Sequence, residues 1–194
     1  MIPSVRAVAD RFIFDTATVK YIAAALPPGG LDRVVASTGW TVRQLIHHLG
    51  SATMSAADAL ERATRAEQLL PETFTPAEFN RRAVEESRSM PLLEVLGLLD
   101  AARDRMLRAL EAVPEVLLPA TFGRHTLVEL LTDWSLHSVQ HGLDFADTLP
   151  ELRHDPMVLN WLLYADYSDD AGRTARQAKL LAEVRDMYAA GEEG

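Results

Sequence analysis

The chain contains no cysteine, which excludes a disulfide framework, a cysteine-type zinc site and a thiol nucleophile of its own. Any thiol chemistry must bring its thiol from outside. Positive charge is also scarce. The net charge is −9, and no Lys/Arg cluster offsets the carboxylates, so neither a nucleic-acid partner nor an anionic membrane surface is expected. No apolar run approaches membrane-spanning length, and Arg6, Asp10, Arg11 and Asp15 interrupt the N-terminal stretch where a signal peptide would need an unbroken apolar core. The expected location is the cytoplasm. Val/Ile-rich alternation is missing throughout, so no sheet is expected, and no repeat or low-complexity tract occurs beyond the Gly-Glu-Glu-Gly tail.

What is present is helical spacing. With 194 residues, 48% of them hydrophobic, the chain suits one compact domain. From roughly Val5 to Leu26, Val8, Phe12, Thr16, Val19, Ile22 and Leu26 recur at steps of three and four, with Ala23 beside them, and Pro27-Pro28-Gly29-Gly30 ends the pattern. Thr41 and Gln44 form a capping box that opens a second helix running to about Leu69, with Val42, Leu45, Ile46, Leu49 and Leu60 along its apolar centre. Beside that centre His48 can look inward, whereas His47 points nearly opposite, toward solvent. Thr75, Pro76 and Glu78 start a short helix, and Leu92 to Val113 forms a long amphipathic one ending at Pro114. Glu115 to His125 reads as a loop crossing the end of the bundle. Beyond Pro150, Asp155-Pro156 opens a helix to about Tyr167, Ser168-Asp169-Asp170 turns, and Gly172 to Ala190 forms a last, more polar helix.

The stretch the chain is organised around is Thr126 to Leu149. Thr126 and Glu129 make another capping box, and Leu127, Leu130, Leu131, Trp134, Ser138, His141 and Phe145 then share one broad stripe with His137 at its edge, as in a single amphipathic helix. Two histidines one turn apart on an inward face can chelate one divalent metal. They can equally be core-edge histidines hydrogen-bonded to neighbours. Ser138 follows His137 where a zinc protease would carry its glutamate base, so that chemistry is excluded.

Trp40-Thr-Val-Arg-Gln-Leu-Ile-His-His48-Leu49, followed later by His137-Ser-Val-Gln-His141-Gly-Leu-Asp144, resembles the DinB/YfiT-like metalloprotein superfamily. In particular it looks like the N-terminal domain of mycothiol-dependent maleylpyruvate isomerases. The resemblance implies an all-α, up-down-down-up four-helix bundle over residues 1–150, with residues 151–194 as a C-terminal helical extension packed on the same domain. It also implies three metal ligands, carried onto His48, His137 and His141, around a divalent metal, zinc foremost with nickel or iron as alternatives. Three protein ligands with an open position are what catalytic zinc requires. Asp144, three residues after His141, could orient a ligand imidazole from a second shell or be an exposed helix aspartate.

Family members resembled here use the metal to activate a low-molecular-weight thiol such as mycothiol or bacillithiol. The sequence departs from the isomerase pattern at His137, where those enzymes typically carry glutamate, and in having little chain after the bundle for a second domain. The expectation is therefore a thiol-dependent transferase or hydrolase acting on a small-molecule substrate. The alternatives are a non-catalytic metal- or ligand-binding bundle and a metal-free interaction bundle. The resemblance also implies a homodimer, for which Trp161, Leu162, Leu163 and Tyr164 offer apolar surface unless they fold back on the same bundle. Trp134 and Trp161 are expected as packing residues, His125 and His154 in cap or surface roles, and Arg81 and Arg82 on a solvated face unless one meets an anionic substrate at the bundle mouth.

Overall fold

Two capping boxes set where the central helices begin. In this computed structural model, which describes the chain apart from Glu72, Tyr164, Ser168, Asp169, Glu193 and Gly194, the Thr41 hydroxyl accepts from the Gln44 amide while the Gln44 side chain accepts from Thr41 N–H. Thr126 and Glu129 repeat the arrangement. The helices are α1 (Pro3–Ala25), α2 (Val42–Thr64), α3 (Pro76–Ser87), α4 (Leu92–Glu111), α5 (Leu127–Gln140), α6 (Gly142–Thr148), α7 (Pro156–Leu163) and α8 (Ala171–Glu192). The turn expected at Ser168-Asp169 and the share of Tyr164 in the apolar surface lie outside the described residues.

Helices α1, α2, α4 and α5 form the bundle. Gly50 lies against Leu98 and Leu99, and further along Arg105 bonds Asp58 and Glu61, so α2 and α4 run parallel. Lys20 pairs with Asp100, while Val5 joins the cluster containing Met106 and Ala109, so α1 runs antiparallel to α4. Leu127 and Leu131 at the start of α5 share that cluster with Val5, which sets α5 parallel to α1. The topology is up-down-down-up. A parallel α2–α4 pair needs a return connection along the bundle, and residues 65–91, including α3, supply it.

Four boundaries differ from the periodicity. Helix α2 stops at Thr64, not near Leu69, because Ala66 takes a left-handed φ of 56° and the Ala66 and Glu67 amides return to the Ala63 and Arg62 carbonyls. Both bonds are those of a Schellman stop built without glycine. Helix α7 ends at Leu163, short of Tyr167. The expected loop at 115–125 contains a 3₁₀ turn at Glu115–Leu117 and a two-strand ladder of β1 (Thr121–Phe122) and β2 (His125–Thr126) across a turn with Gly123 at φ 68°. The expected single helix from Thr126 to Leu149 breaks at His141, where the His141 amide bonds the Ser138 carbonyl and the Asp144 amide bonds that of His141. Close packing accompanies the break. A Cβ on Gly142 would lie 2.5 Å from Leu162 Cδ2 and 3.1 Å from the Trp161 ring, so α7 rests directly on the α6 backbone there.

Trp161 and Leu162 therefore fold back on the bundle, both fully buried. Trp161 Nε1 donates to Asp15 Oδ1 at 2.7 Å, and Arg11 Nε lies 2.9 Å from the same oxygen. Asp15 Oδ2 has no hydrogen-bond partner among the described residues. Burial accordingly pushes the Asp15 carboxyl up from 3.8 to about 6, against the lowering effects of Arg11 and Trp161. Because the folded value lies above the unfolded one, the protonated form is favoured by folding, and the cost of ionisation is complete above about pH 6 and gone below about pH 4. Stability contributed by this group should fall by about 2 kcal/mol between about pH 4.5 and about pH 7.5. Asp15→Asn, which keeps an acceptor for Trp161, should remove that slope. Urea unfolding of both proteins across the range checks it, and parallel pH profiles would refute it.

Candidate metal centre

His48 comes from α2, and His137 and His141 from the last turn of α5 and its junction with α6. The antiparallel setting of α2 and α5 brings the three imidazoles together. His48 Nε2 and His137 Nε2 are 3.1 Å apart, and one nitrogen from each ring falls within 4.8 Å of the others. Two nitrogens each about 2.0–2.1 Å from a tetrahedral zinc sit about 3.3 Å apart, so the geometry fits such an ion. Among the described residues no cysteine, aspartate or glutamate joins the cluster as a further ligand, leaving positions for water or substrate.

The three rings are held differently. His48 is buried, with the Trp40 ring 5.0 Å away on one side and the Phe79 ring 6.1 Å away on another. Its Nδ1 has no hydrogen-bond partner among the described residues, and packing holds it. Burial, followed by the charges of His141 and His47, pushes His48 down to about 4, and burial with His141 and His48 pushes His137 down to about 3. Both are neutral at physiological pH, as ligand imidazoles must be.

His141 is oriented by a hydrogen bond. Its Nδ1 lies 3.0 Å from Asp144 Oδ2. Burial pushes the Asp144 carboxyl up, and bonds from His141, Ser37 and Arg176 outweigh that effect, holding it below the usual carboxylate range. An ionised carboxylate only accepts, so His141 donates from Nδ1 and keeps the Nε2 lone pair free. Asp144 is thus buried, not an exposed helix residue. Arg176 of α8 donates to Asp144 Oδ1 at 3.1 Å and to Asp147 Oδ2 at 2.6 Å, tying the C-terminal extension to this junction.

His47 also departs from its solvent expectation. It is 2% exposed because α3 covers that face of α2. His47 Nδ1 lies 3.4 Å from Ser51 Oγ, and its ring bonds the Ala83 backbone. The remaining histidines stay apart from the cluster: His125 is exposed in β2, and His154 Nε2 lies 3.4 Å from Glu183. Arg81 and Arg82 are surface residues bound by Glu78, and Arg81 also by Glu85.

His137 forms part of the wall of a cavity of about 370 Å³ between α2, α5 and the residue 65–91 crossover. Ala52, Ala56 and Ala59 line one side, Leu70, Phe74 and Phe79 another, and Trp134 a third, with Asp133 and Gln140 beside His137. Helical spacing places Asp133 one turn before His137 and Gln140 nearly one turn after it, a signal available in the sequence. The crossover aromatics carry no such signal.

The mycothiol maleylpyruvate isomerase N-terminal domain family model matches residues 16–146, a span that includes all three histidines and Asp144. The chain belongs to this family. It is a DinB-like, metal-binding helical family, and the three-histidine cluster is a possible metal site within it. No curated protein and no solved structure matches the chain significantly. Trp161 and Arg176, which contact the bundle from the extension, lie beyond the span matched by the isomerase N-terminal domain family.

Proposed function

We propose that the protein is a metal-dependent thiol S-transferase or hydrolase that holds a divalent metal, zinc foremost with nickel or iron as alternatives, through His48, His137 and His141. The observation carrying this reading is the convergence of three imidazoles, two of them forced neutral by burial, of which His137 lines an apolar cavity. A bound divalent metal supplies a Lewis acid that polarises a carbonyl or keeps a thiol or water deprotonated near neutral pH. The chain's own residues do the rest. His48 is fixed by Trp40 and Phe79, Asp144 sets the His141 tautomer from a second shell, and Arg176 positions Asp144. The cavity admits the substrate beside His137 and keeps its body out of water. Family membership supports mycothiol, bacillithiol or a similar small thiol as co-substrate.

The same reading divides the chain into a metal-binding bundle, residues 1–150, and an extension, residues 151–194, packed on it. It includes a cytoplasmic homodimer, for which exposed Leu181, Met187 and Tyr188 on the outer part of α8 provide apolar surface. A non-catalytic ligand-binding role is the second reading. Among the described residues Asp133 is the one charged side chain lining the cavity, with the neutral His137 beside it, a sparse acid–base complement.

Zinc-loaded protein should transfer mycothiol, bacillithiol or glutathione to an electrophile such as monochlorobimane, or hydrolyse an aromatic ester. The rate should be lost on chelation, restored by zinc and absent in His141→Ala. Turnover unchanged in His141→Ala would refute the proposed site. Ligand binding without turnover under every metal would favour the second reading.

A further inference from the structure

The cavity beside His137 has a composition that selects among ligands. Its volume, about 370 Å³, lies at the lower end of small-molecule sites, and its walls are built mainly of alanine, leucine and aromatic side chains. The polar exceptions matter most. Asp133 and Gln140 face it and make no hydrogen bond or ion pair among the described residues. No lysine or arginine lines it. The arginines nearest in sequence to its aromatic wall, Arg81 and Arg82, are already held by Glu78 and Glu85 on the surface of α3.

An anionic ligand body would therefore leave water for a wall with no lysine or arginine among the described residues to receive it and a carboxylate in place. A cationic one would gain the unpaired Asp133 oxygens and keep its apolar part against Phe74, Phe79 and Trp134. We propose that this cavity takes a small amphiphilic ligand with an apolar, aromatic-sized body and a cationic amino end, and that Asp133 selects it over anionic ligands. The inference builds on the metal reading only for where the ligand's reacting end lies, next to His137. It turns the expected substrate class away from anions and toward arylalkyl amines.

The test uses the full chain, as purified and again after chelation, with three probes sharing one body: naphthylmethylamine, naphthylmethanol and naphthylacetate. Binding is followed by calorimetry. The chelated protein should bind the amine about tenfold more tightly than the acetate, with the alcohol between them. Asp133→Asn, at an exposed position, should bring the three within about twofold of one another. Thr53→Trp, from a half-exposed position on the wall, should weaken all three at least about fivefold, with circular dichroism confirming its fold. Acetate binding as tightly as amine, an order that survives Asp133→Asn, or full binding to folded Thr53→Trp would each overturn the proposal. A zinc titration runs alongside. Failure to take up zinc with the amine preference intact overturns the metal reading alone and supports this one.

Discussion

Replacing His137 with alanine should lower zinc affinity by at least about a hundredfold while leaving the helical content unchanged. The ring contributes one of three converging nitrogens, and its removal leaves a pair, His48 and His141, with no further histidine, cysteine or carboxylate joining the cluster among the described residues. It also stands at a cavity wall, so truncation enlarges an existing space instead of opening a new one in the core. His47→Ala is the matched control. That imidazole is adjacent in sequence to His48 and equally buried, but it faces Ser51 and α3. It should lower stability by about 1–2 kcal/mol and leave zinc affinity within about twofold of wild type. Competition against a chromophoric chelator, with elemental analysis of the dialysed proteins, reads both. Equal zinc loss in the two variants would mean that the metal follows general stability, and retention by His137→Ala would remove it from the ligand set.

Trp161→Ala should destabilise the protein by about 3–5 kcal/mol, the largest stability effect anticipated for a single side chain. The indole is fully buried in the larger core cluster with Leu143, Phe145 and Val158, and it lies against the Gly142 backbone. Its loss also removes the Nε1 donor from Asp15, leaving a buried carboxyl whose remaining neighbour is the Arg11 ion pair. Trp161→Phe separates the contributions, since it restores much of the volume and none of the hydrogen bond. It should cost about 1–3 kcal/mol. Urea midpoints of the three proteins provide the measurement. A loss below about 1 kcal/mol in Trp161→Ala would mean that the extension is appended to the bundle and carries little of its core.

Features specified by neighbouring residues were legible in the sequence. The capping boxes at Thr41 and Thr126, the Thr75-Pro76 start and the Asp155 cap, which accepts from the Met157 amide, depend on side chains a few positions away. The inward direction of His48 followed from the apolar centre of its own helix. His47 did not, because its burial comes from α3, an element whose position periodicity in α2 cannot register. Asp144 likewise lies on a helix face that is covered only when Ser37 and Arg176 arrive from distant segments. The break at His141 was hidden for a related reason. Gly142 is tolerable inside a helix, and its purpose shows only when Leu162 and Trp161 press on its backbone.

The crossover between α2 and α4 separates two properties that most sites mix. A parallel pair obliges the chain to travel back along the bundle, and that return segment supplies Leu70, Phe74 and Phe79 to the cavity. The three clustered imidazoles, in contrast, sit on helices whose register is locked by the cores. Changes at Leu70 and Phe74 can therefore reshape the cavity wall without touching the histidines, whereas Phe79, whose ring lies 6.1 Å from that of His48, ties the crossover to them. A connection required by topology becomes a place where the shape of a cavity can be redrafted while the bundle keeps its histidines in position.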